Sequence, residues 1–500
     1  MILVLVAGGG KEISMGTVMR NFLYNAGYQI LCIIIPLITM PYLAHRLGAG
    51  AIGINSYTNS VISLFTTFGL LGLTNYSSRE IACSNAEGQE ELSKTFISLC
   101  MIRCMLLAVC MCIYLPVSFL SEYTLYFLLQ IFLLLYNFLD ISWLFVGIEE
   151  MRTVVIRNSI VKIASTAMIF LSVRQESDLG RYIIINGGGM LAGACIMFPQ
   201  AAKYIRRVHV GREDITKHIV PALRLFLPQA ASSIYVMFDK TMIKWITGDV
   251  VSVGFYDQSQ MIVRVPTMLA GSLSTVMLPR ISYEYCRENM GQIKKYLELS
   301  MNLIVTAAYP IFSGLAGIAP TLIHWYLGGE FLECISLLQM SCIIILPVFI
   351  TNVTGVMYLM GLNRAKELTV SYASAAMINL VVNMLFIPSF GAYGAVFGTI
   401  CAEFTVLCIQ YHYMKIHIGS MHLVRRSVKS IFSSVIMLFF VWQVGRLLGN
   451  GVMSTIAQVL AGGAVYILCM WLLRDSVIKD FVSAAHGVRR WKGKCGEDNL

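Results

Sequence analysis

The chain has 500 residues, 57% of them hydrophobic and 13% charged, with a mean hydropathy of +0.72. Soluble domains run about 45–50% apolar and about 25% charged, so this composition is that of a polytopic membrane protein. It leaves no room for an independent soluble domain, because no polar stretch exceeds roughly 25 residues and a domain needs about 50. The net charge of +10 then reads as basic cytoplasmic loops and not as nucleic-acid binding.

Residues 1–14, MILVLVAGGGKEIS, precede a second start at Met15. The apolar run 2–7 is short for a signal peptide core of about 7–15 residues and has no basic flank. GGGK at 8–11 is not a P-loop, since Lys11 is followed by Glu12. This segment reads as an N-terminal extension that need not be translated.

From there the chain divides into apolar runs of membrane-spanning length, about 20 residues each. Fourteen are expected: 18–43, 52–73, 94–116, 122–147, 154–173, 181–202, 221–246, 250–279, 297–319, 331–360, 368–388, 391–414, 429–448 and 452–473. Pro36, Pro41, Pro228, Pro266 and Pro347 supply kink sites. With the N-terminus in the cytoplasm, 28 Lys and Arg fall in inside segments, 4 in outside loops and 5 within spans. That asymmetry supports both termini inside. The longest inside loop, 203–220, separates a first set of six spans (15–202) from a second (221–414). Two further spans (415–474) and a basic tail (475–500) follow. LGAGAIGINSYTNS at 47–60 is echoed by ITGDVVSVGFYDQSQ at 246–260, the mark of two parallel repeats with a substrate path between them. Fourteen cysteines, mostly within apolar runs and with no CxxC, read as small hydrophobes and not as disulfides or a metal site.

Nine charges lie within the spans: Arg103, Asp140, Lys162, Asp239, Lys240, Lys244, Asp257, Arg264 and Glu403. At about 2.5–3.5 kcal/mol each, they cost of order 25 kcal/mol unless they pair or face water. Asp257 and Arg264 share a helical face, as do Lys240 and Lys244. Lys244, near the outer end, has a snorkelling position open to it. Arg103 and Lys162 either line a wet cavity or sit in structural ion pairs. Asp140 and Glu403 admit structural as well as functional roles. Gly187–Gly189 reads as a close helix contact. No Walker A, DxD or HExxH motif occurs, which argues against ATP-driven pumping, glycosyl transfer and metalloprotease chemistry. No catalytic residue is expected.

Several stretches resemble the polysaccharide repeat-unit (lipid-linked oligosaccharide) flippases of the MATE/MOP superfamily. They are 20–61, FGLLGLTNYSSREIA (68–82), LDISWLFVGIEE (139–150), MFDKTMIKWITGDVVSVGFYDQSQ (237–260), VMLPRIS (276–282) and FGAYGAVFGTICAEF (390–404). The resemblance implies an all-α fold of about fourteen helices, two six-helix lobes in a V and two C-terminal helices beside them. It implies a flippase in the cell membrane that carries undecaprenyl-diphosphate-linked oligosaccharide to the outer leaflet by alternating access. No cofactor is implied, and coupling to an H+ or Na+ gradient stays open. The partners implied are the lipid-linked oligosaccharide, membrane lipids, and the polymerase and glycosyltransferases of the pathway. An anionic diphosphate calls for cations, and Arg103, Lys162, Lys240 and Arg264 are the candidates. Asp140, Asp239, Asp257 and Glu403 then balance charge or couple to an ion. Two other classes remain. A multidrug or cation antiporter of the same superfamily should have mainly acidic spans, whereas basic residues here lead five to four. A membrane enzyme such as a polymerase should have a large outer loop, which the sequence lacks.

Overall fold

A computed structural model describes residues 15–70, 72–419 and 423–474. The N-terminal extension and the basic tail lie outside the described residues. All the long elements are helices, because a chain in hydrocarbon must satisfy its backbone N–H and C=O groups within the segment. Among the described residues, twelve helices are long and apolar enough to cross a membrane.

The chain forms two compact units, 1–254 and 255–500. In the first, α1 (Met15–Gly69) carries Pro36 and Pro41 and breaks at Gly48, whose φ of 72° suits glycine. The break divides it into two helices, 15–47 and 49–69, which answer to the first two expected spans. There follow α2 (Leu73–Glu87), α3 (Gln89–Phe119), α4 (Thr124–Leu139), α5 (Ser142–Gly147), α6 (Met151–Ser172) and α7 (Leu179–Ala201). A short α8 (Arg212–Thr216) leads into α9 (Ile219–Thr247), which covers the seventh expected span; its side chains at 224–236, Pro228 included, lie outside the described residues. The core of this unit gathers Leu73, Phe96, Leu99, Trp143, Leu144 and Met197. α7 packs through its glycines, as the sequence suggests. A Cβ at Gly187 would lie 3.1 Å from Phe132 Cβ of α4, and one at Gly193 2.7 Å from Val161 Cγ2 of α6.

The segment 203–218 is tied to α3. Arg206 N–H donates to Ser93 Oγ (3.0 Å), Gln89 Nε2 to Tyr204 O (3.3 Å), and Lys217 Nζ lies 3.0 Å from Glu91 Oε1. His218, fully buried, sets Nδ1 2.7 Å from the Tyr76 hydroxyl and 3.9 Å from Glu80. Burial first, then the neighbouring Lys217, pushes its pKa down to about 4.

The two echoing stretches meet. α10 (Val250–Cys286) begins in the first unit, and there 250–254 crosses 49–53 of α1. A Cβ on Gly254 would lie 2.8 Å from Ala49 O, and one on Gly53 would run into Val250 O. Each helix presents its glycine to a carbonyl four residues before the other's glycine. Ser60 Oγ, two turns further on, lies 3.0 Å from Thr241 Oγ1 of α9.

The second unit continues α10 and adds α11 (Met290–Tyr326), α12 (Cys334–Ser341), α13 (Ile345–Thr351), α14 (Ala365–Phe390), α15 (Ala392–Ile418), α16 (Leu423–Leu448) and α17 (Val452–Leu472). The tenth expected span is not one α-helix. After Pro347 it becomes a π-helix over Asn352–Met360. There Gly355 faces the Gln410 side chain, which accepts from Thr354 Oγ1 (2.9 Å) and donates to Ser371 Oγ (3.1 Å). α16 packs on α11 through Gly314 and Gly317, α17 packs on α16 through Gly462, and Tyr466 of α17 donates to Thr306 O of α11 (2.7 Å).

Two outcomes follow from these contacts. Gly254→Ala should lower the thermal midpoint in detergent, the overpacking costing about 1–3 kcal/mol. Gly463→Ala, where nothing lies within 4 Å, should leave it unchanged or raise it; equal midpoints for both variants would refute the close crossing. For His218, the unfolded ring (pKa 6.5) takes up a proton before the folded one does at about 4. Its contribution to stability is therefore complete above pH 6.5 and is lost as pH falls towards 4. Melting curves of His218→Gln and its parent should diverge in slope only across that window. A parallel decline would show that His218 does not carry the acid sensitivity.

Candidate functional site

The break between α4 and α5 builds the first constellation. Asp140 ends α4 in an extended conformation, ψ 117°. Its freed carbonyl accepts from Arg103 Nη1 (3.1 Å) and Trp143 Nε1 (2.9 Å). Arg103 also reaches Asn137 O (3.4 Å) and stacks over the Trp143 ring at 5.2 Å. The Asp140 carboxylate accepts from Ser142 Oγ and from both Nη1 and Nη2 of Arg157, each at 3.2 Å. Arg103 is 2% exposed and Arg157 9%. Two buried guanidiniums thus meet at Asp140, Arg157 on its carboxylate and Arg103 on its backbone carbonyl, and among the described residues Arg103 Nε and Nη2 and Arg157 Nε have no hydrogen-bond partner.

The expected span 154–173 contains Arg157, yet the charge count assigned it to the inside segments and left it out of the nine. α6 starts at Met151, so Arg157 lies nearly two turns inside a buried helix. The usable signal was the lone acid Asp140, which at that depth needed a cation. Lys162, five residues on, is half-buried, and its ammonium has no hydrogen bond or ion pair among the described residues.

On α9, Asp239 is fully buried and Lys240 half-buried. Lys244 does not merely snorkel: it pairs with Glu122 at 2.6 Å, donates to Gly248 O (2.6 Å) and lies 5.3 Å over the Tyr123 ring. Glu122, in the loop before α4, is held below the usual carboxylate range by that lysine. Trp245 Nε1 donates to the Tyr57 hydroxyl (3.1 Å).

The second unit holds the remaining candidates. Asp257 is half-buried on α10, and Arg264, on the same face, is exposed. The guanidinium of Arg264 makes no ion pair among the described residues, so the suggested partnership with Asp257 is not formed. Glu403 is half-buried on α15. Nearby positions missed from sequence form a buried polar stripe. Asn383 Nδ2 donates to Asn379 Oδ1 (3.2 Å), and Tyr256 OH lies 3.1 Å from Thr399 Oγ1. Their four-residue spacing on α14 was the available sign.

Long apolar helices that bury charged side chains are those of a polytopic membrane protein. A family model described as polysaccharide biosynthesis protein matches residues 18–283. A Shigella dysenteriae protein named for O-antigen transport is 23% identical over 384 residues, covering 74% of this chain and 93% of its own. The solved structure of a Lipid II flippase, MurJ, in an inward closed conformation superposes with a TM-score of 0.75 at 17% identity, covering 91% of this chain and all of that one. An inward-facing multidrug resistance MATE family transporter of the MOP superfamily gives 0.58 at 12% identity, over 77% and 98%. The chain belongs to the polysaccharide biosynthesis protein family.

Asp140→Asn should leave Arg157 buried without its carboxylate, at a cost of about 3–5 kcal/mol. The folded yield in detergent should fall sharply, and adding Arg157→Gln should recover part of it. A single variant that melts like its parent would mean that the pair does not hold α6 to the α4–α5 break.

Proposed function

We propose that this protein flips undecaprenyl-diphosphate-linked oligosaccharide repeat units from the cytoplasmic to the outer leaflet, for assembly of a surface polysaccharide. The observation that carries the reading is the family match over 18–283 together with the surplus of cations in its helices. The cargo joins a large polar sugar and an anionic diphosphate to a lipid that cannot leave the membrane. It calls for a wet basic path between two lobes of six helices, 15–202 and 221–414, in a V, with 415–474 beside them. The ends lie in the cytoplasm, and the lobes alternate in access. At an effective dielectric near 20, a cation about 6 Å from one negative charge contributes about 2.8 kcal/mol, enough for two or three to offset desolvation without trapping the cargo. Lys162 and Arg264, with no anion to hold them among the described residues, suit this role best. Arg103 and Lys240 add positive potential, and Asp239, Asp257 and Glu403 limit it or couple the cycle to an ion gradient.

The test is complementation of a strain lacking the protein, in which lipid-linked repeat units should build up in the inner leaflet and surface polymer should be lost. Arg264→Lys should restore more polymer than Arg264→Gln at equal protein level, the latter losing about tenfold for a lost charge contact of about 1.4 kcal/mol. Full polymer with Arg264→Gln would remove that arginine from the path. Unchanged polymer in the deletion strain, with new drug sensitivity, would favour a multidrug antiporter.

A further inference from the structure

Arg157 also lines a cavity of about 610 Å3 that lies wholly in the first unit, formed by 149–161 and by Ile196 and Gln200 of α7. The volume is within the roughly 300–1,000 Å3 typical of small-molecule sites. The cavity begins where the glycine contacts between α6 and α7 end. Exposed Glu149, Glu150 and Arg152 stand at one end, the end that the Lys and Arg distribution assigns to the cytoplasmic surface. Ile156, Ile160 and Ile196, 40%, 61% and 59% exposed, form a wall that faces outward. Arg157, nine-tenths buried, brings an Nε without a hydrogen-bond partner. Glu150 also accepts from the Tyr204 hydroxyl, whose pKa it pushes up to about 12.

We propose that this cavity binds a zwitterionic phospholipid headgroup that carries a primary ammonium. Its phosphate lies towards Arg152 and Arg157, its ammonium towards Glu149 and Glu150, and one acyl chain runs along Ile156, Ile160 and Ile196. The argument is charge complementarity beside an apolar wall. Asp140 already answers the charge of Arg157, which keeps only its Nε open, so Arg152 faces two carboxylates and a purely anionic headgroup meets more repulsion than attraction. Arginine offers paired N–H donors that match phosphate oxygens. A primary ammonium donates hydrogen bonds to carboxylates, which a trimethylammonium cannot do. The isoleucines lie on the surface that a membrane covers, where a chain attached to such a headgroup would run. The proposal rests on the lining of this cavity and stands whether or not the flippase reading holds.

The experiment is native mass spectrometry of the full chain, released from micelles holding equal amounts of dioleoyl phosphatidylethanolamine, phosphatidylglycerol and phosphatidylcholine. The ethanolamine lipid should be retained in preference to both others. Arg152→Gln and Glu149→Gln should each lower its retention about tenfold, the effect of losing one charged hydrogen bond. Both residues are exposed, so folding should survive; Ile160→Trp, which fills the apolar wall and leaves every charge in place, reads the same site independently. Equal or better retention of phosphatidylglycerol would overturn the proposal, as would retention of phosphatidylcholine at the same level. Undiminished ethanolamine lipid on both Glu149→Gln and Ile160→Trp would overturn it too.

Discussion

A charge in a hydrocarbon-length helix must find a partner or water, and the first unit is arranged around that requirement at Asp140. The break between α4 and α5 exposes a backbone carbonyl and a carboxylate at one point. Both are used at once, the carbonyl by Arg103 and Trp143 and the carboxylate by Arg157 and Ser142. The break thereby links α3, α4, α5 and α6. A continuous α-helix through 140 would hide that carbonyl in its own ladder and leave Arg103 without its strongest contact. The irregular backbone is tolerated because the protein itself satisfies it.

The second requirement is close approach of backbones. Association of helices in lipid gains little from burial of apolar area and relies on packing, which favours small residues at contacts. Gly53 and Gly254 meet in this way, and their reciprocal relation to Ala49 O and Val250 O follows from the internal echo in the sequence. Two similar segments facing each other make the same contact twice. Gly187 and Gly193 set α7 against two different helices, Gly314 and Gly317 seat α16 on α11, and Gly462 seats α17 on α16.

What the sequence disclosed follows from what a single helix can reveal. Length and apolar content show where helices run, and a lone acid or base at depth stands out in any window. The echo between 47–60 and 246–260 was readable, and so was the close packing at Gly187–Gly189. Partnerships were not, because they join helices far apart in the chain. Asp257 and Arg264 share a face, yet Arg264 turns outward, while Asp140 finds Arg157 seventeen residues away across a break. Arg157 was lost through a boundary: once the span was begun at 154 and the charge counted with the loop, nothing local marked it as buried. The π-helix at Asn352–Met360 depends on the Gln410 side chain from another helix, and Pro347 alone signals only a bend.

These partnerships sort the cations by what they can still do. A guanidinium that already holds a carboxylate has spent most of its donors on the fold; moving Arg157 off Asp140 would strand that carboxylate, and only its Nε stays open to a further contact among the described residues. Arg103 is held by two carbonyls and an aromatic face, and can contribute field more readily than contact. Lys244 answers Glu122. Lys162 and Arg264 differ from these, since no described side chain compensates either of them. A protein that carries such a charge into its membrane helices without an internal counter-ion bears a cost that only water or an anionic visitor can relieve. The same reasoning separates cations committed to the fold from those without a described counter-ion, in a chain where composition alone treats them all alike.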